Sequence, residues 1–183
     1  MAEVTLHATP LAGLWRVQRL RKGDTRGFFS RFFDAASFAD AGWPGKIEQI
    51  NHTRTERAGT VRGMHFQREP HAEWKYVSCL AGAVFDVAVD LRAKSATYGQ
   101  WFGTVLSEEN GESLLIPAGF AHGFQTLVAG CELLYLHSTC YAPHAEGGID
   151  ALDPSLEIAW PLPVSVRSDR DIGLPTFVKD IGF

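Results

Sequence analysis

Between residues 14 and 139 the chain repeats one pattern, short runs of alternating polarity broken by turn residues about every eight to twelve positions. Side chains on a strand alternate between faces, so such runs read as half-buried strands, and their rhythm is that of a sandwich or barrel. The runs cover residues 14–20, 27–33, 47–53, 74–80, 83–91, 99–106, 113–116, 122–127 and 131–139. In 83–91, Phe85, Val87 and Val89 point one way and Asp86 and Asp90 the other. Residues 34–41 read as one short helix, closed by Gly42 and Pro44. Five of the nine prolines fall from Pro143 onward, so the C-terminal segment is loop-rich and wraps the body, anchored by Ile158 and Trp160. The expectation is a single all-β domain over residues 1–183.

Composition narrows what such a domain does. A content of 45% hydrophobic and 21% charged residues is ordinary for a globular chain that buries a sizeable core. The net charge of -4 and the lack of a clustered basic run argue against nucleic acid as a partner. Three cysteines without a CxxC pair read as reduced thiols. No leader-like N-terminus and no window near the ~18 apolar residues of a membrane span are present, so a soluble cytoplasmic protein is expected.

The chemistry gathers around residues 59–75, where His65 sits in a strand-like run with Arg62 and Gln67 beside it and Lys75 opening the next run. By itself His65 fits a base, a metal ligand or a hydrogen-bonded core residue. Alone, Tyr135 reads as a core aromatic, Asp171 as a loop or capping residue and Lys75 as a solvated charge. Parity adds that Gln49, Asn51 and Thr53 share a strand face, as do Tyr135 and His137, and Tyr141 if that strand continues. Lys75, Val77 and Cys79 share another, which places Lys75 inward at a barrel mouth.

The segment 111–124, with Gly111, Pro117, Gly119 and His122, resembles the second motif of the cupin superfamily, and Gly59 with His65 resembles the first. The resemblance implies a cupin-type jelly-roll β-barrel with short helices. Metal-binding cupins carry a second histidine where this chain has Gln67, leaving only His65 and His122. The reading is therefore a barrel without metal or other cofactor, with a metal-dependent cupin oxygenase or isomerase using His65 and His122 as the alternative. A catalytically silent sugar-nucleotide binding module is the other.

In order along the chain come D-x-R-G-F-F (24–29), Q-I-N (49–51), R-G-M-H-F-Q (62–67), F-D-V-A-V-D-L-R (85–92), I-P-A-G-F-A-H-G-F (116–124), L-Y (134–135), I-A-W-P (158–161) and S-D-R-D (168–171). Together they resemble the dTDP-4-dehydrorhamnose 3,5-epimerase family. That resemblance implies an epimerase acting at C3, C5 or both of a nucleotide-linked 4-keto-6-deoxyhexose. It assigns His65 as base, Asp171 as its carboxylate partner, Tyr135 as the opposite-face acid and Lys75 as the group that stabilises charge on the C4 oxygen. Arg26, Phe29, Gln49, Asn51 and Tyr141 fall where the family grips the nucleotide, some of them reaching a partner subunit, which implies a homodimer. Arg62 matches a diphosphate-binding position, and a bulge or strand end is expected there because parity alone would turn it away from His65. His122 and Asp86 map to the pocket wall.

Three departures stand out. Arg31 replaces a glutamate that would accept the thymine N–H, which admits CDP as well as dTDP as the carrier. The run after Tyr135 reads Y-L-H-S-T-C-Y instead of Y-K-x-T-D-Y-Y. Glu73-Trp74-Lys75 replaces Q-G-K, and Trp74 is expected to narrow the pocket or shift Lys75.

Overall fold

The structure, a computed structural model, describes residues 3–177. Its strands are β1 (Val4–Ala8), β2 (Trp15–Arg19), β3 (Lys22–Asp24), β4 (Gly27–Phe29), β5 (Gln49–Thr55), β6 (Val61–Gln67), β7 (Lys75–Ala81), β8 (Ala83–Asp90), β9 (Trp101–Ser107), β10 (Glu112–Ile116), β11 (Phe120–Thr126), β12 (Cys131–His137) and β13 (Glu146–Gly148). Two short helices, α1 (Ala35–Asp40) and α2 (Asp169–Ile172), complete the set. A six-stranded sheet runs β1-β2-β10-β7-β12-β5, a five-stranded sheet runs β13-β6-β11-β8-β9, and β3-β4 stands apart as a hairpin. The pairings within these sheets are antiparallel and, apart from β1-β2 and β8-β9, join strands distant in sequence, the jelly-roll arrangement of the cupins.

Alternation sorts the apolar residues into three layers. Val77, Cys79, Leu114, Ile116 and Leu133 from one sheet meet Val84, Ala88, Leu106, Phe120 and Phe124 from the other. Burying each large side chain contributes roughly 1.5–3 kcal/mol, so this inner layer holds the two sheets face to face. Behind the five-stranded sheet, Val61, Met64, Phe66, Val87 and Val89 are covered by Ile149, Leu156, Ile158 and Trp160 of the proline-rich tail. Behind the six-stranded sheet, Tyr76, Leu115 and Leu136 are covered by Phe38 of α1 and by Trp43.

Helix α1 forms where the sequence placed it, because Asp34 caps it by accepting from the Ser37 N–H. The expected strand at 27–33 stops at Phe29, since Phe33 turns inward to pack edge-on against Phe38 and Trp43. Strands β1, β3 and β13 and helix α2 were not anticipated, and Lys22–Asp24, whose glycine and charged residues read as a turn, forms β3. The Glu146–Gly148 strand is Glu-Gly-Gly, which shows no alternation to read.

Trp74 does not enter the pocket, contrary to expectation. It joins the outer cluster with Phe38 and Tyr76, where a Cβ at Gly42 would lie 3.0 Å from its ring. The reason is parity: Lys75 points inward from β7, so the residue before it points out.

Candidate active site

At one end of the sandwich the inward face changes from apolar to polar. Along β12 the inward series runs Cys131, Leu133, Tyr135, His137, and along β7 it runs Cys79, Val77, Lys75. The polar ends enclose a cavity of about 390 Å³. Gln49, Asn51, Thr53, Lys75, Tyr135 and His137 line it from the six-stranded sheet, and Arg62, His65, Gln67 and His122 from the five-stranded sheet. His65 and Tyr135 therefore stand on opposite walls.

Arg62 and His65 are three residues apart yet both line the cavity, because β6 bulges against β11 between them. His122 pairs with His65 and Phe124 with Arg62, so two residues of β6, Gly63 and Met64, oppose the single Gly123. Gly63 has φ +123°, and a Cβ there would come 2.6 Å from the Gly123 Cα. Only glycine fits so close an approach. The bulge also turns the Gly63 N–H out of the ladder, and it donates to Asp171 Oδ2 at 3.1 Å.

Asp171 reaches the site from α2, which Ser168 caps by accepting from the Asp171 N–H. Its Oδ1 lies 2.8 Å from His65 Nε2. Burial opposes ionisation of Asp171, but the bonds from His65 and Gly63 more than offset it and hold the carboxyl below its ordinary range. An ionised Asp171 fixes the ring with its proton on Nε2, leaving Nδ1 as the basic nitrogen.

Across the cavity, Tyr135 is 9% exposed, and burial pushes its phenol well above the usual value near 10. It is a protonated donor at neutral pH. Lys75 is 7% exposed, donates to the His65 carbonyl at 3.1 Å and lies 3.1 Å from Glu73 Oε1. Tyr141 lies past the end of β12 but still lines the cavity, and its hydroxyl donates to Glu146 at 2.7 Å. His122 faces the cavity, and its Nε2 lies 2.9 Å from Asp86 Oδ1, so Asp86 sits fully buried behind it.

Arg26, Phe29 and Arg31 are not brought to this cavity within one chain. Arg26 and Phe29 lie on the β3-β4 hairpin, where Phe29 is 63% exposed and Arg26 pairs with Asp24. Arg31 divides its guanidinium between Glu3 at 2.9 Å and Asp34 at 2.8 Å. Sequence reasoning gave no site role to Glu73, His137, Gln67 or Glu146, which also line the cavity. His137 was detectable, since it shares a strand face with Tyr135. Glu73 precedes its strand, so no parity rule reaches it.

His65 and His122 each commit Nε2 to a carboxylate, His137 commits Nδ1 to Glu73, and Gln67 spends its amide on His71 O and on the Ala142 N–H. Among the described residues no cluster of three or more His, Cys, Asp or Glu could hold a metal ion.

A jelly roll whose mouth sets a His–Asp pair on one wall against a tyrosine and an ammonium group on the other is built for proton transfer at carbon, the work of an isomerase. Known proteins narrow the class. A family model described as dTDP-4-dehydrorhamnose 3,5-epimerase matches residues 8–179, and the chain belongs to that family, epimerases of nucleotide-linked 4-keto-6-deoxyhexoses. A Sinorhizobium fredii dTDP-4-dehydrorhamnose 3,5-epimerase is 40% identical over 97% of this chain and 91% of its own. A Streptomyces niveus dTDP-4-dehydrorhamnose 3-epimerase is 40% identical over 88% of this chain and 78% of its own. The crystal structure of the Legionella pneumophila dTDP-6-deoxy-D-glucose-3,5-epimerase in complex with dTDP-4-keto-L-rhamnose matches with a TM-score of 0.89 and 39% identity, covering 94% of this chain and 92% of the other.

Proposed function

We propose that residues 1–183 act as one catalytic domain that inverts C3 and C5 of a dTDP-linked 4-keto-6-deoxyhexose. The observation that carries this reading is the placement of His65–Asp171 and Tyr135 on opposite walls of one cavity. The ketone at C4 acidifies the protons on its neighbouring carbons. His65 Nδ1 takes one of them, and the electron pair of the broken C–H bond forms an enolate with its charge on the C4 oxygen. The Lys75 ammonium stabilises that charge without giving up its own proton. The Tyr135 hydroxyl then delivers a proton to the opposite face and the ketone returns with that centre inverted. Exchange with solvent restores the proton on Tyr135 and removes the one on His65.

Gln49, Asn51 and Tyr141 hold the nucleotide, Arg62 the diphosphate, and His122, braced by Asp86, the sugar. Arg26 and Phe29 serve the same purpose from a second copy of the chain. Their exposure on a projecting hairpin supports a homodimer in which each hairpin reaches its neighbour's cavity. The ion pairs of Arg31 with Glu3 and Asp34 engage its guanidinium, which favours dTDP over CDP. The enzyme works in the cytoplasm.

The test is to incubate the protein with the dTDP-linked keto sugar and read the stereochemistry at both carbons by NMR. Inversion at both is expected, and a sugar unchanged at both overturns the reading. Affinities for dTDP, CDP, GDP and UDP settle the carrier, and tighter binding of CDP than of dTDP overturns that part.

A further inference from the structure

Glu73 stands at the centre of the cavity's polar network, although nothing above gives it a part in the reaction. One carboxylate oxygen, Oε1, lies 3.1 Å from Lys75 Nζ. The other, Oε2, lies 2.9 Å from His137 Nδ1 and accepts from Gln67 Nε2 at 3.3 Å. Side-chain exposures are 9% for Glu73, 9% for Lys75 and 11% for His137, so water competes little for these bonds. Burial by itself works against ionisation of the carboxyl, but Lys75 and His137 more than offset it and hold Glu73 below the ordinary range, ionised at neutral pH.

The consequences for both partners are geometric. An ammonium carries three N–H donors. Lys75 commits one to Glu73 and one to the His65 carbonyl, so a single N–H is left to meet the substrate's C4 oxygen. His137 turns Nδ1 to Glu73 and Nε2 toward Asn51 Nδ2 at 3.4 Å. In that orientation its ring stacks on Tyr135 at 6.1 Å between centroids and 20° between planes. One carboxylate thus connects the group that stabilises the enolate to the ring that supports the acid.

We propose that Glu73 is a positioning residue for the epimerisation, orienting the Lys75 ammonium and, through His137, the Tyr135 ring. The proposal rests on the reaction inferred above. Glutamine is a sharp probe of it, because Lys75 can only donate and Gln67, its oxygen held by the Ala142 N–H, turns its NH₂ to Glu73, the two donors facing different carboxylate oxygens. Either orientation of a glutamine amide sets its NH₂ against one of them.

The experiment measures kcat, KM and melting temperature for the wild type, Glu73→Gln and His137→Gln, with deuterium wash-in at C3 and C5 as a second rate. Glu73→Gln is expected to lower kcat and wash-in about tenfold, the effect of misplacing one charge-assisted hydrogen bond, while KM stays within about threefold. His137→Gln, which keeps the Lys75 contact, is expected to fall between that variant and the wild type. Glu73→Asp retains the charge on a shorter arm and is expected to recover part of the kcat that Glu73→Gln loses. A folded Glu73→Gln with kcat within twofold of wild type overturns the proposal, as does a loss confined to KM. If Glu73→Gln does not fold, Glu73→Asp and His137→Gln decide, and wild-type kcat in both overturns it. A wild type that washes no deuterium into either carbon defeats the epimerase reading itself. Normal wash-in in wild type and variants alike defeats only the role of Glu73.

Discussion

Replacing Asp171 by asparagine should remove the base while leaving its ring in place. Asp171 accepts from two donors, His65 Nε2 on Oδ1 at 2.8 Å and the Gly63 N–H on Oδ2 at 3.1 Å. An asparagine has one acceptor and one donor end. The Gly63 N–H cannot change its role, so the amide oxygen turns to it and the NH₂ faces His65. The imidazole must then accept at Nε2 and carry its proton on Nδ1, the nitrogen needed to take the substrate's proton. The variant also loses the carboxylate that stabilises the imidazolium, and charge-assisted bonds of this kind contribute about 1.5–3 kcal/mol. At about 1.4 kcal/mol per tenfold in rate, a loss near 3 kcal/mol corresponds to about a hundredfold fall in kcat. The assay is NMR-monitored turnover of the dTDP-linked keto sugar, with KM expected within about threefold because Asp171 lies behind His65. A folded Asp171→Asn variant that keeps more than a third of wild-type kcat would refute the tautomer argument.

Other outcomes follow from the same contacts. Trp74→Ala should lower unfolding free energy by about 2 kcal/mol in a denaturant titration, because it empties a partly buried site against Gly42, and should leave KM within twofold. Gly63→Ala should destabilise by more than about 2 kcal/mol, since its Cβ would meet the Gly123 Cα at 2.6 Å, with the melting temperature as readout. Asp171 and Glu73 both ionise more readily in the folded chain than their reference values of 3.8 and 4.5. In acid the unfolded chain therefore binds more protons, so their stabilisation is present at neutral pH and is lost as pH falls through the folded values. Melting temperature should drop below about pH 4, less steeply in Asp171→Asn.

Most of the barrel was legible because alternation is a strong signal where one strand face is buried and the other is not. It failed at Glu146–Gly148, which pairs through its backbone with hardly any side chain to pattern, and at residues 30–33, where Phe33 gains more by packing on α1 than by extending a strand. Parity set Lys75 inward at the barrel mouth and Gln49, Asn51 and Thr53 on one face, all four line the cavity, and the bulge anticipated beside Arg62 is present at Gly63. Asp171 was legible only through family resemblance. No local rule joins residues 65 and 171, which meet because a bulge frees one N–H and a four-residue helix brings a carboxylate to it. The reading of Trp74 failed for a physical reason too, since its contrast with glycine was weighed as pocket volume while the chain turns it to the other side of the sheet. Glu73 was noted only as a departure from Q-G-K and given no role, because its partners lie on three strands and it sits on none of them.

The central claim is that His65 and Tyr135 handle protons from opposite faces of one carbon. It is tested most directly by deuterium incorporation at C3 and C5 in deuterated water, in the wild type, His65→Ala and Tyr135→Phe. The wild type should incorporate at both carbons with inversion. His65→Ala should incorporate at neither. Tyr135→Phe should still release protons to His65 but invert poorly, returning deuterium to the face it left. Wild-type incorporation and inversion in both variants would contradict the account.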